Sequence, residues 1–99
     1  KRVKNIAQMI KNCQEMEADN ERRTVRLIKK LNAPIDVDNY CRQANSYLHF
    51  HNIMLETRKW YGKGKGPYMS SHVWPLFAKT INSKFNTNAK QREALLTCI

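Results

Sequence analysis

Three histidines, three cysteines and one acidic run are the side chains through which this chain could do chemistry. His49 and His51 stand two residues apart, which on a helix turns them about 200° from each other. A shared metal ion needs i and i+4 instead. Both are read as core or surface histidines. Cys13, Cys41 and Cys98 show no ligand-type spacing. An odd count without close pairs argues against a disulfide framework and for a reducing compartment. Cys13 and Cys41 fall among apolar helix positions and are expected as small buried hydrophobes. Glu15, Glu17, Asp19 and Glu21 offer paired carboxylates, but acids in the first turn of a following helix are accounted for by its dipole. The chain has no G-x-S-x-G, no H-E-x-x-H and no phosphate loop. Gly62-Lys63-Gly64-Lys65-Gly66 has the composition of a phosphate cradle without its spacing, and it follows a helix rather than a strand. The expectation is a binding domain, not an enzyme, with no cofactor and no metal.

The elements that must position these residues are helical. Val3, Ile6, Ala7, Ile10, Cys13 and Met16 step by three and four along one helical face. Ala18-Asp19-Asn20 interrupts that stripe, and Asp19 or Asn20 is placed to cap a second helix carrying Val25, Leu27, Ile28 and Leu31. Asn32-Ala33-Pro34 ends it, since a residue before proline disfavours helical geometry. Asp36 caps a long helix bearing Val37, Tyr40, Cys41, Ala44, Tyr47, Leu48, Met54 and Leu55, with Phe50 and Ile53 widening its apolar face. All three glycines lie in the 62–66 loop. Ser70 or Ser71 begins a further helix through Val73, Leu76, Phe77, Thr80, Ile81 and Phe85, with Pro75 tolerated near its first turn. After Asn86-Thr87-Asn88, residues 89–99 form a short last helix. No stretch alternates apolar and polar residues, so the fold class is all-α, a compact bundle of four or five helices.

At 99 residues the chain is one domain, read as part of a longer protein because it lacks an initiator Met and a signal sequence. Its mean hydropathy of −0.70 and the lack of a long apolar run exclude a membrane span. The 41% apolar content is that of a folded domain rather than a disordered one.

Eighteen Lys and Arg against 8 Asp and Glu leave a net charge of +10. Thr57 to Arg92 holds basic residues and no acid, whereas the acidic cluster is confined to 15–21. Such a body attracts an anionic partner: nucleic acid, an acidic protein segment or an anionic surface. A nucleic-acid reading places Lys59, Lys63, Lys65, Lys79 and Lys84 on phosphates, with Trp60, Tyr61, Tyr68 and Trp74 as stacking platforms. The helices around Arg22–Lys30 and Lys79–Lys84 are its candidate readers. Neither presents a compact row of Arg, Asn or Gln for base edges, so contact would be mostly nonspecific.

Ile10-Lys11-Asn12-Cys13, an acidic Asp-Asn turn, an Arg-rich helix ending Ile28-Lys29-Lys30-Leu31, Ile35-Asp36-Val37 and Asn82-Ser83-Lys84-Phe85 together form an ordered pattern. It resembles the LEDGF-type integrase-binding domains, within the wider helical bundles similar to the TFIIS N-terminal domain. The likeness is closest over residues 6–38 and covers about half the chain. It implies a monomeric interaction module of a nuclear chromatin or transcription adaptor. Such a module takes short disordered segments that combine acidic residues with a Phe anchor. The resemblance puts docking at two loops: in the first, Met16 with Glu17 or Ala18 with Asp19, depending on register, with Asn20 beside them, and at the second Trp60, Tyr61 and Tyr68. The second loop is longer and richer in glycine than in that family.

Overall fold

The computed structural model describes residues 2–99, with side chains from Asn5 onward, so the expected inward position of the Val3 side chain lies outside the described residues. Helix α1 runs Arg2–Lys30, α2 Val37–Thr57 and α3 Ala89–Leu96. Two 3-10 turns, Pro67–Met69 and Trp74–Leu76, lie between α2 and α3. The all-α class holds, with no strand among the described residues, but the helices number three rather than four or five.

The first correction concerns residues 15–21. The expected turn does not form, and α1 passes straight through it. No Gly or Pro occurs before Pro34, so nothing compels a break there. Asp19 and Asn20 do not cap: they accept hydrogen bonds from Arg22 and Arg23, three residues on. Ala18, the middle of the supposed interruption, is 1% exposed and fills the seam against α2. The stop at Asn32-Ala33 does form. Asn32 adopts φ 52, and Ala33 N donates to Ile28 O while Asn32 N donates to Lys29 O. That pair of bonds satisfies two of the last carbonyls of α1.

Helix α2 begins as expected, with Asp36 accepting from Asn39 N at 3.1 Å. It runs antiparallel to α1, because Gln14 reaches Asn52, Glu17 reaches His51 and Glu21 reaches Tyr40. The main core gathers round its C-terminal half. Phe50, Ile53, Val73, Phe77, Leu95 and Cys98 form one buried cluster. Cys41 is buried, but Cys13 is exposed, contrary to the expectation for both. The stripe position of Cys13 lies on the flank of α1 away from α2, alongside the exposed Met9 and Met16.

The second correction concerns residues 70–85, which form no α-helix. Pro75 sits in the second 3-10 turn and Phe77 leaves it extended, at φ −108 and ψ 164. Residues 77–87 then cross the bundle as an irregular strap. Several of its backbone groups are bonded by side chains of α2 rather than to one another. Asn45 donates to Ala78 O at 2.9 Å and Thr80 O at 2.8 Å, and it accepts from Asn82 N at 2.9 Å. Asn52 donates to Phe85 O and to Thr87 Oγ1. Between them, His49 touches Thr87 Oγ1 through Nδ1 and Asn82 Oδ1 through Nε2. The side chains at 45, 49 and 52 lie one turn apart on a single face of α2, so the helix pins the strap at three levels. Asn88 then caps α3 in a reciprocal capping box with Gln91.

Candidate functional site

The strap closes a groove that runs between the C-terminal half of α1 and the start of α2. Arg22, Arg26 and Lys29 line it from α1, spaced four and three residues apart on one face, and Lys79 lines it from the strap. Its apolar floor is made of Val25, Val37, Cys41 and Ile81, and its volume is about 390 Å³. Asp38 is the single carboxylate among the lining residues, against four cations. Arg22 is fixed in place, donating to Asp19 Oδ1 at 2.6 Å and to Asn82 O at 2.8 Å. Arg26, Lys29 and Lys79 are exposed. Burial pushes the Cys41 thiol up from its ordinary value, with the Lys29 ammonium working in the opposite direction. Cys41 therefore contributes a neutral, apolar surface to the floor. The exposed Arg26, Lys29 and Lys79 round such a floor can bind carboxylates or phosphates while it buries one hydrophobic group, Arg22 being already engaged by Asp19 and Asn82.

A second cleft lies on the opposite flank of α2, and it is here that the expected loop aromatics are found. Tyr61 and Tyr68 line it with Tyr40, Tyr47 and Glu21. Trp60 stands behind it, edge-on to Tyr47 at 5.9 Å and to Phe50 at 5.3 Å between ring centres. Glu17 binds His51 Nε2 at 3.0 Å under the same aromatic group. Trp60, Tyr61, Tyr68 and Glu17 therefore do share one region.

The other three expected docking residues do not join them. Met16 is 60% exposed on the outer flank of α1. Asp19 is paired with Arg22, and Asn20 accepts from Arg23. On a continuous helix, neighbouring residues point about 100° apart, so 16–20 cannot form the tip of a loop.

The five expected phosphate-binding lysines are divided. Lys79 lines the basic groove, Lys84 lines a separate cleft beside Lys11, and Lys65 Nζ donates to Ile99 O at 3.0 Å. Lys59 and Lys63 are exposed. Arg26 and Lys29, expected only on a candidate nucleic-acid reader helix, and Ile81, expected only on an apolar helix face, help complete the groove. The spacing of Arg22, Arg26 and Lys29 was a visible signal for half of it. The approach of Lys79 and Ile81 was not, because it depends on the strap.

His49 and His51 are both buried. Burial lowers the His49 pKa, opposed by its bond to Asn82. Among the described residues no three His, Cys, Asp or Glu side chains are grouped to hold a metal ion, and no helix is long and apolar enough to cross a membrane. No protein-family model, no curated protein and no solved structure matches this chain.

Proposed function

We propose that the chain is a protein-interaction module that captures a short acidic segment carrying one large apolar side chain. The groove between α1, α2 and the strap is its docking site. The observation that supports this reading is the ring of Arg22, Arg26, Lys29 and Lys79 round the floor of Val25, Val37, Cys41 and Ile81. Acidic side chains of the ligand meet the ring, and a Phe-sized group enters the floor. The net charge of +10 speeds encounter with such a segment, and the apolar floor supplies selectivity. The proposed setting is a nuclear chromatin or transcription adaptor, as the sequence resemblance suggested. The docking place differs from the one that resemblance implied. The aromatic cleft carries Glu21 and no cation among its lining residues, so it repels an acidic ligand that the groove attracts.

Fluorescence anisotropy with a labelled acidic peptide containing one Phe tests the proposal. Binding is expected to drop when that Phe becomes Ala, and again when Lys29 and Lys79 are both replaced by Glu. A generic nucleic-acid duplex is the competing ligand. Duplex affinity stronger than that of any such peptide, falling steeply with salt, would instead establish phosphate binding as the role of these cations.

A further inference from the structure

The aromatic cleft has the opposite charge character to the groove. It measures about 350 Å³ and its walls are Tyr40, Tyr47, Tyr61 and Tyr68, with Glu21 at one side. The rings of Tyr47 and Tyr68 lie 6.2 Å apart at 69°, and those of Tyr61 and Tyr68 lie 6.1 Å apart at 83°. Ring planes meeting near right angles at this spacing form a corner. A group seated there lies within reach of several ring faces at once, and each face carries negative electrostatic potential.

Three features fix the sign and shape of the ligand. First, no Lys or Arg is among the lining residues, in a chain with 18 of them. Second, carboxylates approach from α1 one turn apart. Glu21 Oε1 accepts from Tyr40 at 2.5 Å, leaving Oε2 without a partner among the described residues, and Glu17 sits beside the Tyr47 hydroxyl. Third, two of the phenols are kept neutral. Burial and the neighbouring carboxylates hold Tyr40 and Tyr47 at about 12. Those two walls thus add no charge of their own, and the accessible lining is mainly apolar. The Glu21 carboxylate attracts any cation, but the apolar ring surface that makes up most of the lining favours an alkylated ammonium, whose methyl groups have no hydrogen bonds to lose.

We infer that this cleft binds a quaternary ammonium group, through the ring faces of Tyr47, Tyr61 and Tyr68 and the carboxylate of Glu21. The Tyr68 ring packs on Gly66, where a Cβ would stand 2.7 Å from it. Glycine lets that ring fold down over its own backbone and turn towards Tyr61.

The test is a titration of the intact chain followed by nuclear magnetic resonance. Choline, its uncharged isostere 3,3-dimethylbutanol, and short peptides with a trimethylated or an unmodified lysine are the probes. Expected are ring-current shifts of the N-methyl signal and perturbation of Tyr47, Tyr61 and Tyr68, with the isostere bound at least about tenfold more weakly. Tyr68→Leu keeps an apolar wall but removes the ring, and it is expected to weaken choline about tenfold. Glu21→Gln is expected to weaken it severalfold. The two sources of the group are separated by whether the trimethylated peptide or free choline binds more tightly. Equal binding of choline and its isostere, or equal choline affinity in wild type and Tyr68→Leu, would overturn the inference. So would an absence of shifts at millimolar choline in protein whose amide spectrum remains that of the folded chain.

Discussion

Asn82 N donates to Asn45 Oδ1 at 2.9 Å, across 37 residues of sequence, while the amide of Asn45 donates to the strap carbonyls of Ala78 and Thr80. One fully buried asparagine thereby supplies three hydrogen bonds to backbone that has no secondary structure of its own. The strap it holds forms one wall of the basic groove.

Asn45→Ala leaves the strap carbonyls of Ala78 and Thr80 and the amide of Asn82 without that partner. Ala78 and Thr80 are exposed residues whose carbonyls water can meet, so the loss is that of the hydrogen bonds themselves, about 0.5–1.5 kcal/mol each, and denaturant unfolding is expected to show it. Asn45→Asp keeps the acceptor and loses both donated bonds, and it is expected to be no better than Ala. Stability unchanged in both variants would show that the strap is held by other groups.

His49 gives the fold a dependence on pH. Its pKa in the folded chain lies below the ordinary 6.5, chiefly because of burial. As pH falls below 6.5, the unfolded chain takes up the proton before the folded chain does, so acid favours unfolding. The contribution is full above 6.5 and is lost as pH drops toward the folded value. Chemical denaturation between pH 7.5 and 5 is expected to show stability falling, and His49→Gln is expected to flatten that slope. An unchanged slope in the variant would assign the effect to other groups.

Ala18 tests the continuity of α1. A proline there removes a helical hydrogen bond and clashes with the preceding turn, costing about 3 kcal/mol or more. Ala18→Leu overfills the seam with α2 and is expected to cost about 1–3 kcal/mol. A turn at 18–20 would accept both changes cheaply. Thermal melts of the two variants distinguish the cases.

Substitution in the groove separates charge from burial. Lys29→Glu and Lys79→Glu are each expected to reduce acidic-peptide affinity about tenfold at low salt, mostly through slower association, with the deficit shrinking as salt rises. Ile81→Ser is expected to speed dissociation at every salt concentration. Stopped-flow binding resolves the two classes. Identical kinetic effects would mean that the cations and the floor do not serve one ligand.

Local physics determined much of this chain from its sequence alone. The stop at Asn32-Ala33, the cap at Asp36, the long amphipathic α2, the start of α3 after Asn88 and the all-α class each rest on residues within one or two turns of each other. So does the row of Arg22, Arg26 and Lys29. Two misreadings share a physical cause. Asp19 and Asn20 are good caps, yet a cap is used only if the helix ends, and burying Ala18 against α2 favoured continuing it. Residues 70–85 have helical spacing, yet Asn45, His49 and Asn52 offer their backbone partners from another element. Whether a polar backbone bonds to itself or to a distant side chain is an energy difference between tertiary arrangements, and no local pattern records it. The strap, the groove it closes and the meeting of Tyr47 with Tyr61 and Tyr68 were therefore decided only when the chain packed.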